Sequence, residues 1–243
     1  PEIALRAAWM PALCRRLLKE IAANGQEKLL REVEIPLAQV LASMELEGFL
    51  IDQQELAAFG QELRVKIDGL EREIYQLVGH EFKINSPKQL GVVLFEELGL
   101  PAQKKTKSGY STDAEVLESL STYHPVIVKI LDYRKYAKLL STYVEGLKAA
   151  VGPDSRIRTS FQQTETRTGR ISSAEPNMQN IPIRTEPGSR MRRFFPAREG
   201  WLLVDADYSQ IELRVLASIA GDENMVNAFL SGEDIHRNTA AQV

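Results

Sequence analysis

The chain is poor in the residues that build staples and anchors. It holds one cysteine, Cys14, and three histidines. A single cysteine cannot close an internal disulfide, and no CxxC or Cys/His spacing suits a structural zinc site. Cys14 is therefore expected as a packed residue of a reduced, cytoplasmic protein. The longest apolar runs fall far short of a membrane span, and no basic-then-apolar signal opens the chain, so no membrane partner is expected. There is no repeat and no low-complexity tract. The first residue is Pro1 and not methionine, so the sequence reads as a piece of something longer.

Charge of one sign is lacking overall but not locally. The net charge of -3 gives no reason to expect a polyanionic partner. Residues 156–193, however, carry eight arginines, no lysine and three glutamates, a local balance of +5. The guanidinium fork binds phosphates and base edges bidentately, which an ammonium cannot do. A solvated surface balanced by acidic neighbours has about equal weight from charge alone.

Up to residue 152 the patterning is helical. Residues 2–24 form an amphipathic helix closed by Asn24-Gly25, and a second segment, 26–47, is kinked or restarted at Pro36. Asp52, with Glu55 three residues on, caps a helix whose apolar positions Leu56, Phe59, Leu63, Ile67, Leu70, Ile74 and Leu77 alternate in steps of three and four up to Gly79. That narrow seam predicts packing along one partner helix. Ser86-Pro87 starts a further helix ended by Gly99. Thr112, with Glu115 three residues later, reads as the capping box of another. Lys104, Lys105 and Lys107 lie in the loop between them. With the helix starts at Ser86 and Thr112 they would make a phosphate site if they converged, though a solvated loop is the more frequent case. After the His124-Pro125 break a long helix runs to about residue 150, bearing Arg134 and Lys138.

Gly152-Pro153-Asp154 marks the change to short extended runs, expected at 157–161 and 181–183. Residues 159–184 are rich in amides, hydroxyls and guanidinium groups. Asn177, Gln179 and Asn180 can both donate and accept, as contact with minor-groove acceptors common to every base pair requires. The same amides could instead bond their own backbone. Residues 201–204 then predict a short buried strand, and Ser209 with Glu212 a capping box. Asp205 and Asp207, two apart, would share a face of a continuing strand. A paired-carboxylate metal site is one reading.

Three stretches in order carry a resemblance. T-G-R-I-S-S-x-x-P-N-M-Q-N-I-P-I-R at 168–184, D-Y-S-Q-I-E-L-R at 207–214 and D-I-H-R-x-T-A at 234–240 resemble the bacterial family A DNA polymerases. The likeness extends upstream through E-G-F-L-I-D, S-P-K-Q-L and the K-L-L-S-T-Y that begins at Lys138. It implies an α+β, mainly helical chain with an incomplete right-hand polymerase fold: a helical thumb plus the N-terminal part of an antiparallel-sheet palm. Residues 1–24 would be the last helix of a 3'-5' exonuclease-like domain, 25–155 the thumb and 156–243 the start of the palm.

The implied activity is template-directed addition of dNMP to a primer 3'-hydroxyl in DNA replication and repair, by a nucleoid-associated monomer acting on primer-template DNA and dNTPs. Asp207 would be the catalytic carboxylate that holds two Mg2+ ions, joined by the backbone carbonyl of Tyr208, with Asp205 a mere neighbour. Gln210, Glu212 and His236 would bind the nucleotide. Arg134, Lys138, Arg170, Asn177, Gln179, Asn180 and Arg184 would touch the duplex. Several positions depart from the family wording, among them Ala174-Glu175 in place of a common Ser-Asp pair. Leu140 stands where a second lysine is common, and Arg158 and Arg167 could compensate for it in charge. The second catalytic carboxylate and the fingers are not in the sequence, so these 243 residues are expected to be inactive alone. The alternative is a non-catalytic fragment that grips primer-template DNA.

Overall fold

A computed structural model describes residues 2–102, 105–106, 109–182 and 186–232. It divides into two compact units, Pro1–Arg198 and Glu199–Val243. The described residues are mainly helical with small two-stranded antiparallel sheets. None of their helices is long and apolar enough to cross a membrane.

The first unit is built on one helix, α4 (Gln53–Val78). Its start is set by Asp52, whose carboxylate accepts hydrogen bonds from the Gln54 and Glu55 amides at 3.0 and 2.9 Å. Its end is set by Gly79 in the left-handed region. Over 26 residues the helix is about 40 Å long. The partner it packs on begins with α7 (Pro125–Lys138), passes through a π-helical stretch, Leu139–Glu145, and ends as α8 (Gly146–Ala150). The two rods run antiparallel. Ion pairs Glu73–Lys129 at 2.6 Å and Arg64–Glu145 at 2.5 Å tie them near opposite ends.

Two hydrophobic cores form along this pair. One gathers Ile74 with Leu90, Leu94, Leu117, Ile127 and Ile130, and Ile67 and Leu70 pack against it. It is closed by α5 (Pro87–Val92), its π-helical continuation Val93–Glu97, and α6 (Ala114–Ser119). The other gathers Leu56, Phe59 and Leu63 with Leu139, Val144, Leu147, Met191 and Phe194. Gly60 permits the close approach there, since a Cβ on it would stand 2.9 Å from Val144 Cγ1. Leu140, the departure from the family wording, packs against this second core.

Several expectations are met. Ser86 caps α5 with Pro87 at its first position. Pro36 sits at the start of α3 (Ile35–Glu47), preceded by α2 (Glu27–Leu29) and a π-helical turn, Leu30–Glu34. In that turn the Ile35 amide donates five residues back, to the Leu30 carbonyl, just ahead of Pro36, which has no N–H to give.

Others are not met. The cap of α6 is Asp113, whose carboxylate accepts from the Val116 amide at 3.0 Å. Thr112 instead turns its carbonyl and hydroxyl to Arg134, which donates to both. Cys14 is exposed and not packed, as α1 (Glu2–Ala23) contributes to neither core and shows Ile3, Leu5, Trp9, Leu13 and Leu17 to solvent. Lys104 and Lys107 lie outside the described residues. The loop between α5 and α6 holds a small hairpin of β2 (Lys105–Thr106) and β3 (Gly109–Tyr110).

The Gly152-Pro153-Asp154 break is a reversal that brings the chain back beside residues 49–51. β4 (Arg156–Ile157) pairs antiparallel with β1 (Phe49–Leu50), Phe49 opposite Ile157. The run expected at 157–161 is split between β4 and β5 (Ser160–Gln162). β5 pairs with β6 (Ser172–Ala174), whose sequence carries no alternating apolar signal. Residues 181 and 182 form no strand, because Pro182 has no N–H to give a ladder. α9 (Glu186–Met191) and a 3-10 turn, Arg192–Phe194, close the second core.

Two consequences can be measured. Gly48 ends α3 with φ 62° and ψ -178°, and a Cβ there would lie 2.8 Å from the Ile157 carbonyl oxygen. Gly48→Ala is expected to cost about 2 kcal/mol or more in urea unfolding, because strained backbone and steric clash act together. Second, hydrogen bonds from Arg158 at 3.0 and 2.6 Å hold the Asp154 carboxyl down from 3.8 to about 2. A depressed carboxyl pKa stabilises the fold above its unfolded value, and that stability is lost as pH falls through the folded value. Asp154→Asn should therefore lower the melting temperature at pH 7, and the difference from the parent should close between pH 4 and pH 2.

Candidate nucleic-acid interface and carboxylate turn

In the first unit the structure brings three of the expected DNA-contacting residues to one place. Lys138 at the end of α7 and Asn177 and Asn180 of the loop after β6 line a groove of about 410 Å³, with Thr142, Tyr143, Gly146, Leu147 and Pro176. The groove owes its shape to two local devices. The Tyr143 hydroxyl donates to the Asn180 carbonyl at 2.6 Å, pinning the loop to the long helix. Asn177 Oδ1 accepts from the Gln179 amide at 3.0 Å, which makes an Asx turn. Lys138, Asn177 and Asn180 are exposed. An exposed cation beside exposed amides, with a wall of Leu147 and Pro176, can receive a phosphate and a polar base or sugar edge.

Gln179 takes a different place. Its Nε2 donates to the Ile171 carbonyl at 2.9 Å, and its Oε1 accepts from the Ser173 amide at 3.2 Å. The side-chain amide acts as one more strand partner for β6. Here the self-bonded reading of the polar loop holds, while for Asn180 the side chain stays at the surface. Arg170 is exposed just before β6. Arg134 lies one turn before Lys138, half-buried, with both terminal nitrogens on Thr112. Burial pushes its guanidinium pKa down. Arg184 and His236 lie outside the described residues.

The arginine-rich segment divides its labour. Arg156 donates to the Glu47 and Gly48 carbonyls at 3.0 Å, and Arg158 to the Leu46 carbonyl and the Asp154 carboxylate. Arg190 forks onto Glu62 at 2.6 and 2.8 Å and lies over the Phe59 ring. These three fasten the segment to α3, α4 and the 152–155 turn. The Arg158 fork is spent on the fold and does not stand in for a lysine at position 140.

Tyr143 is a residue that the sequence reading did not single out. Its signal was its place in K-L-L-S-T-Y, five positions after Lys138.

The second unit contains α10 (Ile211–Ala220) and α11 (Glu223–Ser231). Residues 201–204, expected as a buried strand, belong to no strand of the structure and are exposed, Leu202 by 87% and Val204 by 86%. A strand needs a neighbour for its backbone groups, and the described residues of this unit hold no other strand. Asp205 and Asp207 are therefore not placed by a pleat. Both are exposed in the segment that leads into α10.

The Ser209–Glu212 capping box does not form either. Gln210 is the N-cap, left-handed at φ 53°, ψ 43°, with no side-chain cap bond. Ser209 thereby falls outside the cap position, and its carbonyl accepts from Arg214 Nε at 2.9 Å. Glu212 is exposed in the first turn of α10, and Tyr208 is exposed by 79%. Among the described residues no three acidic, histidine or cysteine side chains cluster as a metal cage. What this turn offers is hard oxygen donors, a carboxylate and main-chain carbonyls, which is the partial ligand set that Mg2+ accepts when phosphates and water complete it.

Comparison with known proteins agrees with the motifs. The family model described as DNA polymerase family A matches residues 53–243. DNA polymerase I of Geobacillus stearothermophilus is 52% identical over 240 residues, covering 98% of this chain and 27% of its own. DNA polymerase I of Bacillus subtilis is 49% identical over 240 residues, again 98% of this chain and 27% of its own. This chain thus spans about a quarter of the length of these relatives. Among solved structures, the POL domain of Pol1 from M. smegmatis, in complex with DNA primer-template and dNTP, superposes with a TM-score of 0.86 at 42% identity, covering 96% of this chain and 41% of that one. With the model matching most of its length and the mainly helical architecture in agreement, the chain belongs to DNA polymerase family A.

Proposed function

We propose that this chain forms part of a DNA-directed DNA polymerase that extends a primer 3'-end in replication and repair, working as a monomer in the bacterial cytoplasm at the nucleoid. The observation that supports the reading most is the likeness across 96% of the chain to a polymerase domain whose structure holds primer-template and dNTP. Residues 25–155 would act as the thumb, 156–243 as the first part of the palm, and 1–24 as the end of an exonuclease-like domain.

The family resemblance suggests a role for each residue. Lys138, Asn177 and Asn180 hold a duplex by its phosphates and minor-groove edge, with Arg170 and Arg184 as further cations. Gln179 supports them by fixing β6, and Arg134 by fixing α6 to α7. Asp207 and the Tyr208 carbonyl are the groups that would hold Mg2+, two ions in all. When bound, the metal supplies activation of the primer hydroxyl and charge stabilisation at the leaving pyrophosphate. Gln210, Glu212 and His236 flank the nucleotide, and Glu212 disfavours a 2'-hydroxyl. Because the chain spans about a quarter of its relatives' length, the isolated 243 residues would grip DNA without extending it.

Two measurements test this. In the complete polymerase, Asp207→Ala should lower kcat roughly 10³-fold, the equivalent of several kcal/mol of lost charge stabilisation. Asp205→Ala should change it by about twofold at most, since the resemblance gives that position no ligand role and a surface substitution without one is nearly neutral. Equal loss in both would restore a paired-carboxylate site. For the isolated chain, fluorescence anisotropy with primer-template should show affinity falling steeply with salt. Lys138→Ala should flatten the slope of log K against log salt by about one. A flat response at low salt, or templated extension by the isolated chain, would refute the corresponding half of the proposal.

A further inference from the structure

We infer that Arg214 is a positioning residue for the turn that carries Asp207, an inference that rests on the polymerase reading above. Arg214 sits one turn inside α10 and reaches back out of it. Its Nε donates to the Ser209 carbonyl at 2.9 Å, and its own amide donates to the Gln210 carbonyl at 3.1 Å. The guanidinium carbon stands 4.5 Å from the centroid of the Phe229 ring on α11. One side chain thus joins the turn, the helix it feeds and the neighbouring helix.

This brace replaces the device that the sequence leads one to expect. With Ser209 outside the cap position and Gln210 left-handed without a side-chain cap bond, the helix start is not fixed by a hydroxyl. The peptide that Arg214 holds, through the Ser209 carbonyl, begins one residue after Tyr208 and two after Asp207. Its orientation therefore bears directly on where the carboxylate and the Tyr208 carbonyl point. The task asks for arginine in particular. The planar guanidinium can lay its face on an aromatic ring while an in-plane N–H donates to a carbonyl, whereas an ammonium has no such face. Partners that orient metal-binding groups typically change metal affinity or activity roughly 10- to 100-fold when removed.

The test uses the complete polymerase with Arg214→Ala, Arg214→Lys, Phe229→Leu and Asp207→Ala. In metal-free, DNA-free protein, hydrogen exchange at amides 208–213 should quicken about tenfold or more in Arg214→Ala. The same variant should need roughly 10- to 100-fold more Mg2+ for half-maximal activity, or lose kcat to that extent, with its Kd for primer-template unchanged. Phe229→Leu keeps an apolar side chain while removing the ring, and should move both readouts in the same direction by less. Arg214→Lys should recover neither fully. Unchanged exchange and an unchanged Mg2+ curve in Arg214→Ala, with Asp207→Ala inactive, would overturn the role of Arg214. Full recovery by lysine would overturn the bracing geometry in favour of charge alone. Full activity of Asp207→Ala would instead sink the polymerase assignment of the turn, whatever Arg214 did to exchange.

Discussion

The first unit depends on the burial of the α4 seam. Leu56, Phe59 and Leu63 near one end and Ile74 near the other are removed from water, each large side chain contributing about 1.5–3 kcal/mol. Because the stripe is long and narrow, no single globular core can cover it. The chain solves this with one antiparallel rod, and with two separate clusters that close over the opposite ends of the pair. The positions of Lys138, Thr142 and Tyr143 follow from that arrangement. They ride on the rod where it changes from α-helical to π-helical winding, and the loop carrying Asn177 and Asn180 reaches them there.

Electrostatics in this unit is mostly structural before it is functional. Arg156, Arg158 and Arg190 are committed to carbonyls and carboxylates of α3, α4 and the 152–155 turn, so local basic charge overstates what is free to meet a polyanion. Lys138 differs in being exposed beside amides and a small apolar wall. The second unit works by other means. Its turn is shaped by a left-handed Gln210 and a returning arginine, and the side chains of Asp205 and Asp207 stand exposed ahead of it.

Much of the first unit was legible in the sequence because the governing interactions are local. Asp52, Ser86, Gly79 and the 3-4 spacing of the seam each act within one or two helical turns, and each does what its residue type implies. The misread features are the ones that need a distant partner. The cap of α6 falls to Asp113, while the oxygens of Thr112 accept from Arg134, 22 positions away. The strand expected at 201–204 has the right side chains, but the described residues of its own unit hold no strand for it to pair with. Cys14 was expected inside on the strength of its residue type, yet its helix contributes to neither core.

Sequence by itself determined the family, through three ordered motifs, and the long capped helix, through periodicity. It also singled out Asp207 and the amide-rich loop as candidates. Tertiary structure alone decided which of those side chains remain available. Gln179 is spent on β6, Arg134 on Thr112 and Arg158 on Asp154, while Lys138 and Asn180 come together across a groove pinned by Tyr143. The reason is physical. A residue's type states which hydrogen bonds it is able to make, but which partner satisfies it depends on what the fold carries within about 3 Å.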